Sequence, residues 1–303
     1  MVICPRPTSD CYLGTCSNCP GSTKLRRTIE NIFNDNFVDE ITYKQWTQVD
    51  RCSLETIVKS TDDFVDNLVE SIPKFLQHDF IARQQAEFFQ TTKKNLEVGQ
   101  VLVVADFSEN YSFLLQNSVQ GAYWNNSQAT IHPFACYYRS IDENVDNIVP
   151  LNLIIISDNL THNTTAVYSF QEVLTSFLKN KIPDISKIIY FSDGAASQYK
   201  NRYNLLNLLH HEEDFQIPAE WHYFATSHGK GPSDDLGGTL KRKVDRANLQ
   251  SKADDQIQTP DELFQWAKEN IYEFVEEPDI KSRLRKRKGA TTVTEELKKK
   301  KFS

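Results

Sequence analysis

Val101-Leu102-Val103-Val104-Ala105-Asp106-Phe107 is a nearly continuous apolar run with one carboxylate near its end. A strand covered on both faces reads this way, because neither side of its pleat meets water. An unpartnered carboxylate inside such a run is expensive, so Asp106 is the first candidate functional residue. Working outward, 112–119 and 129–139 alternate as strands do, and 151–157, 187–191 and 220–226 read as further strands. Between and after them lie stretches with helical spacing. Val167, Phe170, Val173, Leu174 and Phe177 mark one over 165–178, and a second covers 199–211. A third, over about 235–249, puts Leu236, Leu240, Val244 and Ala247 on its buried face, and Thr259-Pro260-Asp261-Glu262 caps a last helix running to Phe274. Several strands in a row followed by alternating helix and strand predict an α/β fold: a mixed sheet with helices on its faces.

Composition agrees with a folded protein. The chain has 303 residues, 39% hydrophobic and 25% charged, enough for one to two domains. Eighteen Phe, twelve Tyr and four Trp exclude low-complexity disorder as the main description. No apolar run approaches the roughly 18 residues of a membrane span, and a membrane is not an expected partner. The opening Met-Val-Ile-Cys-Pro-Arg-Pro lacks the apolar core of a signal peptide, so an intracellular protein is expected. In that setting the Asn-x-Ser/Thr acceptors at Asn110, Asn125, Asn159 and Asn163 are chance matches, and the six cysteines are not disulfides.

Four of those cysteines, Cys4, Cys11, Cys16 and Cys19, lie in the first 19 residues and close on Pro20-Gly21. Clustered thiols with one Cys-x2-Cys pair fit a tetrahedral zinc site; free structural or redox-active thiols are the other reading. Cys52 and Cys136 read as buried small hydrophobes. The expected organisation is a Cys-rich segment over 1–52, a helical segment over 53–98 opened by Ser53 and kinked or restarted at Pro73, a catalytic α/β domain over 99–275, and a basic tail over 276–303. The tail carries Arg285-Lys286-Arg287-Lys288 and Lys298-Lys299-Lys300-Lys301, clusters suited to nuclear import or phosphate contact as well as to plain solvation. Residues 281–303 hold ten Lys/Arg and two Glu, a charge of +8, which leaves −15 of the total −7 on the rest.

Two further acids share the setting of Asp106. Asp193 ends another apolar strand and is followed by Gly194 and two alanines, and Asp234 precedes a helix whose first residues include Gly237 and Gly238. Glycines are poor helix formers, so their presence there suggests a close approach of backbone or substrate. Converging carboxylates suit hard divalent cations, and paired ions activate an attacking oxygen and stabilise a leaving one in phosphodiester chemistry. Each Asp taken alone also reads as a turn or cap residue.

With these acids 87 and then 41 residues apart, the chain resembles the ribonuclease-H-like catalytic domain of eukaryotic DDE/D transposases, specifically transposon-derived proteins of animal genomes. The blocks that carry the resemblance are Ala105-Asp106-Phe107-Ser108-Glu109-Asn110-Tyr111, Gln128-Ala129-Thr130-Ile131-His132-Pro133, Ser192-Asp193-Gly194-Ala195-Ala196-Ser197-Gln198-Tyr199-Lys200-Asn201 and the run from Trp221 through Gly229-Lys230-Gly231-Pro232. The resemblance covers roughly residues 11–275. It implies a ribonuclease-H-like mixed sheet flanked by helices, with a Cys-rich and helical N-terminal extension. It also implies nuclease and strand-transfer chemistry with Mg²⁺ or Mn²⁺ held by Asp106, Asp193 and Asp234. Asp235 and Asp245 are the alternatives for the third acid, because Ser233-Asp234-Asp235 stands where the family usually has Cys-Asp-Gly. The expected partners are DNA and, for an assembled form, further copies of the chain; the expected location is the nucleus. Lys200, Lys230, Lys241, Arg242, Lys243 and Arg246 are the candidate DNA contacts, with a solvated helix face as the plain alternative. Glu109 reads as a turn residue before an auxiliary ligand, His222 and His228 as structural histidines, and Trp124, Asn125 and Asn126 as core or base contacts. Active enzymes of that family normally carry an amino-terminal site-specific DNA-binding region, where here only the Cys-rich segment precedes the helices, so a fragment, a degenerate copy or a domesticated protein is expected. The chain therefore reads either as an active transposase-like enzyme, whole or in part, or as a catalytically silent, domesticated nuclear protein that binds DNA or chromatin.

Overall fold

A computed structural model describes residues 2–48, 50, 52–113, 127–140, 147–225, 231–252 and 255–271, together with the backbone of 290–295. The chain divides into two compact units, Met1–Gln84 and Gln85–Ser303. Among the described residues no helix is long and apolar enough to cross a membrane.

The first unit holds α1 (Ser9–Leu13), α2 (Thr23–Asp35), the antiparallel hairpin β1 (Glu40–Gln48) and β2 (Cys52–Ser60), and the start of α3 (Thr61–Lys94). Helical periodicity predicts a helix from Ser53; the structure has a strand over Cys52–Ser60 instead. Thr56, Ile57 and Val58 are β-branched or stiff at χ1, and each has a partner on β1, with Ile57 opposite Tyr43. The helix begins only where Ser60 caps it: the Asp63 N–H donates to Ser60 Oγ at 3.1 Å, and Asp62 and Asp63 sit in the first turn. It then runs through Pro73 without the expected restart. Cys52 is exposed, against the buried position expected of it, whereas Cys136 is buried.

The second unit is built on one sheet in the order β8 (Ala219–Tyr223), β7 (Lys187–Ser192), β3 (Gln100–Ala105), β5 (Gln128–Arg139), β6 (Ile148–Ser157) and β9 (Ala290–Glu295), with β4 (Tyr111–Ser112) added beside β5. β3 (Gln100–Ala105) pairs antiparallel with β5 (Gln128–Arg139), which pairs antiparallel with β6 (Ile148–Ser157). After α4 (Thr164–Lys181) the chain crosses to the far side of β3 and lays β7 (Lys187–Ser192) parallel to it. α5 (Arg202–Leu209) and α6 (His211–Phe215) lead to β8 (Ala219–Tyr223), parallel to β7. α7 (Pro232–Gln250) and α8 (Pro260–Asn270) follow. The predicted mixed sheet flanked by helices is present.

Period-two alternation sorts the strand residues between two cores. Val101, Val103, Ile188 and Tyr190 pack with Val167, Phe170, Leu174 and Phe177 of α4. Leu102, Val104, Ile189 and Phe191 pack with Leu236, Leu240 and Val244 of α7 and with Leu263 and Phe264 of α8. The buried face expected of the helix after Asp234 is thus the one that is buried. Ala290–Glu295 form β9, antiparallel to β6, in what reads from sequence as a basic tail. Ala-Thr-Thr-Val-Thr is β-branched and carries no charge, unlike the clusters on either side of it.

Candidate functional site

β3 and β7 are neighbouring parallel strands, and the chain leaves β3 toward β5 on one side but leaves β7 toward β8 on the other. Their carboxyl ends therefore flank a switch point, the place where open α/β sheets bind ligands. In the ladder Gln100 lies opposite Lys187 and Val104 opposite Phe191, an offset of 87 throughout. Asp106 and Asp193 are separated by the same 87, so each follows its strand's end at matching height. Both also continue the alternation toward the α7 face.

Local chemistry releases each acid from the sheet. Ala105 is opposite Phe134, so Asp106 would come opposite Pro133. Proline has no N–H to donate, and the ladder stops at Ala105. Beyond β7, the Ala195 N–H donates to Asp193 Oδ1 at 3.1 Å, the Ser192 hydroxyl donates to the Asp193 carbonyl at 2.9 Å, and Trp221 Nε1 donates to that hydroxyl at 2.9 Å. Asp234 is in the first turn of α7, where its Oδ2 accepts from the Gly231 N–H at 3.1 Å. α7 approaches the segment after β3 so closely that a Cβ on Gly237 would lie 2.0 Å from Ser108 Oγ, the close approach its glycine signalled. Gly194 is different: a Cβ there would meet nothing nearer than the Lys200 side chain at 3.7 Å.

Two of the acids act on the third. Burial first, and then the charges of Asp193 and Asp234, push the Asp106 carboxyl up to about 7. Asp245 does not join them: its Oδ1 accepts from the Tyr111 hydroxyl at 2.7 Å. Asp235 is exposed. A divalent cation would relieve the repulsion among such hard oxygen donors, and Mg²⁺ is commonly held by only one or two carboxylates together with phosphates and water. The acids do not form a ready coordination shell, however. Among the described residues the four cysteines are the one group of three or more potential ligands gathered that closely.

Behind the acids lies a pair to which sequence reasoning assigned no role. His132, buried in β5, has Nε2 2.9 Å from the Tyr199 hydroxyl. Burial first, and then His162, push His132 down to about 3, so the ring is neutral. Burial and the charges of Asp106 and Asp193 raise the Tyr199 hydroxyl. Both residues lay in the quoted blocks, and a histidine in an apolar strand was the available signal.

The candidate DNA contacts separate. Lys200 is exposed, its Nζ 5.3 Å from the Tyr223 ring centroid. Lys241 is half-buried and donates to the Glu109 carbonyl; burial lowers its pKa, against the raising charges of Glu109 and Asp245. It is thus tied to the backbone after β3. Arg242 donates to Thr239 Oγ1 at 3.0 Å, and Lys243 and Arg246 are exposed on α7. Glu109 is exposed in the segment after β3. His222 packs between Phe88 and Phe191, its Nε2 3.2 Å from Glu220 Oε1. Lys230, His228, Trp124, Asn125 and Asn126 lie outside the described residues.

In the first unit the four predicted cysteines do come together. α1 carries Cys11 and ends at Gly14, whose φ of 77° reverses the chain, and the N–H groups of Thr15 and Cys16 donate to the Asp10 carbonyl. The Gly21 N–H donates to the Val2 carbonyl at 3.1 Å and brings the Cys4 segment back. Cys4 Sγ is 4.0 Å from Cys16 Sγ and 3.8 Å from Cys19 Sγ, and all four sulfurs lie within 4.8 Å of one another. Tetrahedral zinc–thiolate bonds of about 2.3 Å imply sulfurs about 3.8 Å apart, so the group could hold a metal ion such as zinc. Hydrogen bonds from Thr8 push Cys11 down to about 6, toward the thiolate a metal needs.

The family model for a domain of unknown function, DUF8701, matches residues 85–301. The chain belongs to that family. A second domain of unknown function, DUF8700, matches residues 1–76. The DUF8701 match begins where the second compact unit begins, at residue 85, and takes in Asp106, Asp193 and Asp234; the DUF8700 match takes in the four cysteines. No curated protein and no solved structure matches the chain.

Proposed function

We propose that the DUF8701 unit is a ribonuclease-H-like, transposase-type polynucleotidyl transferase that cuts or joins DNA strands, using Mg²⁺ or Mn²⁺ held by Asp106, Asp193 and Asp234. The observation that carries this reading is the matching height of Asp106 and Asp193 at the ends of adjacent parallel strands, with Asp234 close enough to help push Asp106 up to about 7. The mixed sheet with helices on both faces supports the same fold. The bound cations would supply the charge that activates water or a 3′ hydroxyl and stabilises the departing oxygen. The chain's own part is positioning. The Ala195 N–H fixes one oxygen of Asp193 and leaves the other for a ligand, the Gly231 N–H does the same for Asp234, and neutral His132 with Tyr199 closes the rear of the site. DNA is the partner, the nucleus the location, and zinc the ion at the four cysteines.

The second reading, a silent domesticated nuclear protein that binds DNA or chromatin, draws on two observations. Asp234 is engaged in capping its own helix, and residues 1–280 carry −15. Purified protein incubated with supercoiled DNA and Mn²⁺ separates the two. Nicking that is lost in an Asp106→Ala, Asp193→Ala double variant is the expected result. Equal nicking by both proteins, or salt-sensitive DNA retention without cleavage, sinks the enzyme.

A further inference from the structure

The segment that follows Asp193 forms one wall of a cleft of about 680 Å³, to which Ser197, Asn201, Tyr203 and Asn207 contribute; Thr165 and Tyr168 of α4 form the other. The volume lies in the range of small-ligand sites. None of the lining side chains is ionised. They offer amides, hydroxyls and two phenol rings.

Its floor is rigid. Asn201 Nδ2 donates to Thr164 Oγ1 at 2.7 Å and to the Ala196 carbonyl at 2.9 Å, and Thr164 Oγ1 donates to the Gln198 carbonyl at 3.1 Å. Asn201 Oδ1 accepts from the N–H groups of Tyr203 and Asn204, both at 3.0 Å. At the mouth Tyr203 is 57% exposed, with the Arg202 guanidinium 4.7 Å from its ring centroid. Lys200 is a second exposed cation on the same segment. The Tyr168 hydroxyl donates to Asp214 Oδ2 at 2.9 Å.

We propose that this cleft binds single-stranded nucleic acid, taking an unpaired base against Tyr203. Exposed aromatics flanked by cations are the means by which proteins hold single strands without reading sequence. Amide and hydroxyl groups match the edges of an unpaired base and would serve an ionic ligand poorly. The inference rests on the proposed nuclease reading for its substrate.

Fluorescence anisotropy of a fluorescein-labelled oligothymidylate, in buffer without added Mg²⁺ or Mn²⁺, tests it on the full chain. Tyr203→Ala is expected to weaken binding by roughly five- to 150-fold, the range for removing a base-stacking aromatic, and Tyr203→Trp to retain it. Equal affinity of wild type and Tyr203→Ala overturns the proposal. So does a Tyr203→Ala effect confined to the sedimentation of the protein alone, which would make the cleft a contact between copies. Tyr203-dependent binding without any nicking would leave the cleft standing and remove the enzyme; nicking with Tyr203-independent binding would do the reverse.

Discussion

The two units are held by different means. In residues 85–303 a sheet is covered on both faces, and each face has its own cluster of about twenty buried residues. In residues 1–84 the buried apolar side chains among those described are Cys11, Val65 and Ala82, while Phe37 is 91% and Trp46 66% exposed. A two-stranded hairpin with a short helical framework does not bury enough surface to stand alone. What the first unit has in place of a core is four sulfurs within 4.8 Å. The second unit can carry an uncomfortable charge such as Asp106 because its core is large; the first has no such reserve.

The largest expected effect breaks the comparison at its weaker side. Structural zinc contributes roughly 10 kcal/mol or more of apparent folding energy. Cys16→Ser should therefore remove one equivalent of zinc and open residues 1–60 to limited proteolysis, while cuts within residues 128–250 stay as in wild type. Wild-type protein that contains no zinc, or an unchanged digest, would show that the hairpin unit is stable by some other means.

Next in size is Gly237→Ala, which strikes the stronger side. At an ordinary helix interior this change would stabilise by about 1 kcal/mol. Here the new methyl meets Ser108 Oγ at 2.0 Å and, if that hydroxyl rotates away, still presses on Ser108 Cβ at 3.2 Å, so a loss of about 2 kcal/mol in urea unfolding is expected instead. Ser108→Gly in the same chain should recover part of it, and a stabilised single variant would mean that α7 does not approach β3 so closely.

The smallest effect sharpens the contrast. Asp106 is held up to about 7 against its ordinary 3.8. Between those values the unfolded chain gives up the proton that the folded chain keeps. Stability contributed by the group is thus full below about pH 4, falls as pH rises, and levels off above about 7. Asp106→Asn removes that fall. Its advantage over wild type should grow from nothing near pH 4 to on the order of 1 to 2 kcal/mol at pH 8, reduced from the full linkage value by the water that reaches the carboxyl. A pH-independent difference in urea midpoints would mean that the acids do not couple.

Much of this was legible locally. The runs 101–105, 151–157 and 187–191 are apolar enough to be read as buried strands, and Thr259 with Glu262 forms the capping box its spacing promises. The helix over 53–60 failed because residues that suit a strand only when paired were judged by helical spacing alone; their partner, β1, lies across a turn. β9 escaped notice because its six residues sit between basic clusters and pair with β6 about 140 positions earlier. Tyr203 and Tyr168 carried no signal, since a cleft between α4 and α5 exists only once both are docked.

By itself the sequence determined which carboxylates end apolar strands and which cysteines are close neighbours, because burial patterns and short spacings are local properties of a chain. Only the tertiary structure decided that Asp106 and Asp193 stand at matching height, that Asp234 rather than Asp245 reaches them, and that Lys241 is tied to the Glu109 carbonyl. The reason is physical: strand register and helix docking are chosen by side chains far apart in the chain packing on one another, and no window of sequence contains both partners.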